Sequence, residues 1–119
     1  MRDFRQLKVW EKAHALTLAV YRATLAFPRE ELYGLTTQMR RSCSAIPTNI
    51  AEGCGRGSSA DMARFLFIAL GSASQLEYQL LLARDLKLLN PELYEQLTNG
   101  TIEIKKMLAT LVGKLKADG

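Results

Sequence analysis

The stretch QMRRSCSAIPTNIAEGCGRGSS, residues 38–59, decides how this chain folds. On a helix turning about 100° per residue, Leu35, Met39, Cys43, Ile46, Ile50 and Cys54 share one face. Gln38, Arg41, Ala45, Asn49, Glu52 and Arg56 share a second face, roughly 120° away. A surface helix spreads polar groups over a broad outer arc, whereas here two narrow stripes run side by side. The polar stripe has two readings. It is a solvated face, or it is a seam against another helix or subunit. In a seam, Gln38, Arg41, Asn49 and Glu52 supply donors and acceptors that satisfy one another.

Both stripes keep phase across Pro47. The spacing therefore predicts one helix from about Leu35 to Cys54, kinked at the proline rather than ended by it. Proline has no N–H for the Cys43 carbonyl. Ser42, Ser44 and Thr48 are the nearest hydroxyls available to satisfy freed backbone groups. Gly53, Gly55 and Gly57 then form a helix C-cap and flexible turn. Their G-x-G-x-G spacing follows a helix rather than a strand and lacks the GK[ST] ending, which argues against a phosphate loop.

Working outward, a first helix is expected from Leu7 to Phe27. Its buried stripe runs through Trp10, Ala13, Leu16 with Thr17, Val20, Thr24 and Phe27. Pro28 closes it, and Gly34 separates the following turn from the central helix, with Tyr33 and Leu35 packing back on the first helix. Ser58 or Ser59 caps a third helix reaching about Leu88, and Ser58 with Asp61 matches the capping-box signal. This helix is apolar on more than one face, which implies burial on two sides. Gly71, among the small residues Ala69, Ser72, Ala73 and Ser74, is expected to admit a close helix approach, within the bundle or between subunits. Asn90 and Pro91 fit the N-cap and first position of a last helix to about Lys116, with a possible bend at Asn99-Gly100. No alternating strand pattern occurs. The simplest architecture is an all-α, up-down-up-down antiparallel four-helix bundle, one domain over 1–119.

The composition is that of a globular chain, 48% hydrophobic and 24% charged. A net charge of +4 permits nucleic acid or another acidic partner without demanding it. Cys43 and Cys54 on one helix stand roughly 16 Å apart along its axis, beyond disulfide reach. They read as buried, reduced thiols of a cytoplasmic protein. With one histidine, no metal-ligand spacing exists, and no cofactor motif is present. His14 reads as structural or surface. No run is expected to span a membrane, and the charged N-terminus has no apolar signal core.

The run Ile46-Pro47-Thr48-Asn49-Ile50-Ala51-Glu52-Gly53 with Gly55-Arg56 is specific in combination with four other features. These are Tyr33-Gly34-Leu35-Thr36, Gln38, Gly71-Ser72 before Leu76-Glu77, and the opening Phe4, Leu7, Val9 and Trp10. Together they resemble the family named after proteins encoded in 23S ribosomal RNA intervening sequences, also labelled S23 ribosomal protein. Two positions depart from the family pattern. Ala45 stands where serine is usual, and Gln75 where glutamate is usual. The resemblance implies a four-helix protomer that assembles into a ring-like homopentamer, and it brings no settled activity. It extends by fold analogy to accessory proteins of diversity-generating retroelements, which bind nucleic acid and a reverse transcriptase.

The leading expectation is a noncatalytic oligomeric scaffold that binds RNA or DNA, with or without a protein partner. Arg40, Arg41, Arg56 and Arg64 are the nucleic-acid candidates. Gln38, Arg41, Asn49, Glu52, Gly71 and Ser72 are the assembly candidates. The alternative is a protein-interaction module without nucleic-acid binding. No nucleophile–base pair or metal cluster marks an enzyme.

Overall fold

The computed structural model describes residues 3–118, so Met1, Arg2 and Gly119 of the expected domain lie outside the described residues. The helices are α1 (Lys8–Thr24), α2 (Thr37–Cys54), α3 (Ser59–Asp85) and α4 (Pro91–Asp118). No strand occurs among the described residues.

Local chemistry sets most of the helix ends. The Ser58 hydroxyl accepts from the Asp61 N–H at 3.1 Å, so Ser58 caps α3. The Asn90 carbonyl oxygen of the side chain accepts from the Leu93 N–H at 2.8 Å and starts α4, with Pro91 in the first helical position. α4 runs unbroken through Asn99-Gly100. Gly34 (φ −117°, ψ −113°) breaks the backbone between the α1–α2 turn and α2. α2 ends at Gly55, whose φ of −82° is right-handed. No described glycine adopts a positive φ, so the glycine run is not the left-handed cap its composition suggests.

The left-handed cap occurs instead at Lys87 (φ 63°), after α3. The Leu88 N–H bonds the Ala83 carbonyl and the Lys87 N–H bonds the Arg84 carbonyl, each at 2.9 Å, the paired bonds of a Schellman motif. A side chain in this region costs about 1–2 kcal/mol. Lys87→Gly is therefore expected to stabilise the protein by about 0.5–1 kcal/mol, seen as a rise in the midpoint of urea unfolding. An unchanged or lower midpoint would contradict this.

The helices close a four-sided arrangement: α2 packs on α1 and α3, and α4 packs on α3 and α1. Leu35, just before α2, and Met39, Cys43, Ile46, Ile50 and Cys54 along its interior are all buried, as the apolar stripe predicts. They meet Val9, Ala13, Leu16 and Val20 of α1, Leu66, Leu76 and Leu80 of α3, and Leu97, Ile104 and Leu108 of α4 in one core. Val9, rather than Trp10, is the fully buried residue at the start of α1. Trp10 lies half-buried, stacked on His14 with ring centroids 5.0 Å apart.

α2 is a single helix through Pro47. The Cys43 carbonyl, which Pro47 cannot serve, lies 3.0 Å from the Thr17 hydroxyl of α1, whose single proton is shared between it and the Ala13 carbonyl at 2.8 Å. The hydroxyls near the proline serve other carbonyls: Thr48 donates to Ser44 and Ser44 to Arg41. A neighbouring helix, and not α2 itself, thus completes the helix at its proline.

Three expectations change. Tyr33 does not pack on α1 and is 94% exposed, while Leu35 is buried as expected. A Cβ added to Gly71 meets nothing within 4 Å, so the glycine allows no close approach within this chain. The close approach occurs at Gly53, where a Cβ would lie 3.2 Å from both the Met62 carbonyl oxygen and the Phe65 Cβ. Finally, α3 is long and apolar enough to cross a membrane by length and composition, which the charge-interrupted run at its C-terminal end conceals. Its apolar residues divide between an inner face, with Leu66, Leu76 and Leu80 buried, and an outer face, where Phe67, Ile68 and Tyr78 are exposed.

Candidate interaction surface

The polar stripe of α2 faces outward. Gln38, Arg41 and Glu52 are exposed and Asn49 is half-buried. Among the described residues these four make no hydrogen bond to one another. The Asn49 amide donates to the Ala45 carbonyl at 2.8 Å, and Glu52 pairs with Arg56 at 3.1 Å. Within one protomer the stripe is a solvent face whose own bonds are local. An exposed pair such as Glu52–Arg56 contributes at most about 1 kcal/mol.

The four arginines separate into different environments. Arg40 turns onto α1, its Nε donating to the Thr24 hydroxyl at 2.9 Å and its guanidinium lying 4.8 Å from the Tyr21 ring centroid. Arg56 and Arg64 converge about 24 Å away along α2, where the glycine turn meets the start of α3. Their guanidinium carbons lie 4.5 and 4.4 Å from the Phe65 ring centroid. Arg64 also pairs with Asp61 at 3.1 Å, and Arg56 approaches Asp61 at 3.7 Å. Two arginines thus meet two carboxylates, Glu52 and Asp61, and their charges largely cancel. Arg41 is exposed and takes part in none of the ion pairs among the described residues.

A second basic surface lies where the start of α1 meets the end of α4. Leu7, Val9, Met107 and Leu111 line an open groove there, flanked by Lys8, Lys106 and Lys114. These lysines take no part in the ion pairs among the described residues, whereas Lys12 and Lys105 are paired with Glu103 and Glu77. The groove joins positions about a hundred residues apart. The sequence signal available for it is the antiparallel pairing of first and last helices, which sets Lys12 beside Glu103.

Gly71 points outward from α3, and Ser72 inward, at the edge of the core. Burial pushes the Cys43 thiol up to about 11, so it stays protonated at neutral pH and has no thiolate character there. His14 is a surface residue, as expected. Among the described residues no group of His, Cys, Asp and Glu is arranged to hold a metal ion.

Comparison with known proteins places this architecture. No curated protein matches the chain. A solved structure that resembles it is the 1.70 Å crystal structure of a protein with unknown function from the S23 ribosomal protein family of Bacteroides thetaiotaomicron. The two share 28% identity with a TM-score of 0.79, over 87% of this chain and 97% of that one. The family model described as 23S rRNA-intervening sequence protein matches residues 5–110, and the matched span takes in all of α1, α2 and α3 and most of α4. The chain belongs to the 23S rRNA-intervening sequence protein family.

Proposed function

We propose that this chain is a noncatalytic scaffold of the cytoplasm: a single up-down-up-down four-helix domain that assembles into a ring-like homopentamer and binds nucleic acid. The observation that carries the binding half is the convergence of Lys8, Lys106 and Lys114 on one groove, free of acidic partners. Arg41 adds a further exposed cation on α2. Ammonium and guanidinium groups without fixed partners suit phosphates, so binding is read from charge and not from sequence. Arg56 and Arg64 reach phosphate by exchanging Glu52 and Asp61 for it, and Arg40 acts mainly by holding α2 on α1.

The triple variant Lys8→Ala, Lys106→Ala, Lys114→Ala is expected to weaken binding of mixed-sequence RNA and DNA alike. The salt dependence should fall by about 2–3 in slope, roughly one unit for each lost phosphate contact. Fluorescence anisotropy across a salt series measures both. Wild-type affinity and slope in the variant would contradict the assignment.

A protein-interaction role is supported separately by the large apolar side chains left in water, Leu25, Tyr33, Phe67 and Tyr78. Here Gln38, Asn49 and Glu52 supply a polar flank to a subunit seam.

A further inference from the structure

We propose that Phe4, Trp10, His14 and Tyr21 form a row on which the bases of a single-stranded nucleic acid stack. The proposal rests on the nucleic-acid reading and names the form of nucleic acid and the surface that tells it from a duplex.

The row lies along one edge of α1. At about 100° per residue, Trp10, His14 and Tyr21 fall within about 40° of one another on the helix. The Trp10 and His14 rings are stacked, with centroids 5.0 Å apart and planes 8° from parallel. Phe4, in the short helical turn before α1, meets Trp10 edge-on at 4.9 Å. Phe4 and Trp10 are half-buried and pack on the core. His14 is exposed, and Tyr21 is 41% exposed. The stack is thus anchored at Trp10 and ends in water at His14. About 10 Å of helix then leads to Tyr21, with Leu18 exposed beside it. That length admits one or two bases at a rise of about 3.4 Å each.

The charge on this side of the molecule suits a polyanion. At the far end the Arg40 guanidinium lies 4.8 Å from the Tyr21 ring centroid. Its hydrogen-bond partners are the Thr24 hydroxyl and the Tyr21 carbonyl, both neutral, so no carboxylate cancels its charge. At the near end Lys8, two residues before Trp10, borders the lysine groove. Lys8 and Trp10 point to opposite sides of α1, a helix width of about 10 Å. A flexible single strand turns across that width. A duplex, stiff over far longer distances, does not. Glu11, the one carboxylate of α1, lies on that path; Lys8 and Arg22 take part in no ion pair among the described residues and outnumber it.

The rings select the same ligand. Each base of a single strand has a flat face free to stack on an aromatic ring, whatever the sequence. In a duplex those faces are already covered by neighbouring bases.

Trp10 is the one tryptophan of the chain, so its fluorescence reads this row directly. The probes are an oligothymidylate of about 12 nucleotides and a hairpin duplex of equal charge, added to the full chain at low salt. The single strand is expected to quench Trp10, and the hairpin to leave its emission unchanged. His14→Ala, at an exposed position where alanine favours the helix, is expected to weaken single-strand binding about tenfold. Hairpin affinity and the salt slope should stay as in the wild type, because stacking releases no counterions. His14→Phe keeps a flat ring and should bind the single strand within about twofold of wild type. Single-strand binding seen by anisotropy without quenching, wild-type affinity in His14→Ala, or a His14→Phe as weak as His14→Ala would overturn the row while leaving the nucleic-acid reading standing. Trp10 emission that changes on diluting the protein and not on adding strand would place another copy of the chain on this edge and also overturn the row. Binding of neither probe would overturn both.

Discussion

Gly53→Val is expected to cost about 2–3 kcal/mol and to lower the melting temperature by roughly 10 °C at fixed protein concentration. The reason is the rigidity of what the new side chain meets. A Cβ at this position would already lie 3.2 Å from the Met62 carbonyl oxygen, part of the α3 backbone, and 3.2 Å from the Phe65 Cβ. Neither can swing aside as a flexible side-chain end would. Valine adds two methyl groups to that contact, so α2 and α3 must separate along the most extensive helix pairing in the molecule. Gly53→Ala should be milder, because alanine recovers about 1 kcal/mol of helix propensity against a smaller clash. A Gly53→Val melting temperature within 2 °C of wild type, measured by the same scan, would remove the close crossing from the account.

Thr17→Val is the second large effect, at about 1–3 kcal/mol. Valine keeps the shape of threonine but withdraws the hydroxyl whose proton is shared between the Cys43 carbonyl at 3.0 Å and the Ala13 carbonyl at 2.8 Å. That carbonyl has lost its usual helical partner to Pro47, so the substitution leaves a buried acceptor unmatched. The explanation has a specific signature. In a Pro47→Ala background, residue 47 regains an N–H able to bond the Cys43 carbonyl within α2. Thr17→Val should then cost about 1 kcal/mol less than it does beside proline. Urea unfolding of the four proteins in the cycle gives the coupling. Additive free energies would mean that Thr17 does not serve the proline gap.

The residues that made α2 readable were those whose role is periodic. Met39, Cys43, Ile46 and Ile50 alternate at helical spacing, and all are buried. Pro47 interrupts hydrogen bonding without disturbing that spacing, so the continuity of α2 was evident from sequence. Its compensation was not, because Thr17 lies 26 positions from Cys43 and its contact depends on how α1 sits against α2. The same distinction explains the glycines. Composition marks Gly71 and Gly53 alike as sites of close approach, but orientation decides between them. Gly53 turns into α3 and Gly71 turns to open space. Lys87 was hidden for the opposite reason: a left-handed cap is normally announced by glycine, and lysine carries no such signal. For the candidate surface, the sequence identified four arginines but not that Asp61 and Glu52 accompany two of them. It also missed the lysine groove, whose members come from the two ends of the chain.

The central claim is that the protomer is built to assemble, and the mass of the intact protein in solution tests it most directly. Native mass spectrometry of the full chain, supported by sedimentation equilibrium at micromolar concentration, should give about five times the 13.3 kDa protomer mass. A single species at 13.3 kDa under the same conditions would contradict the account.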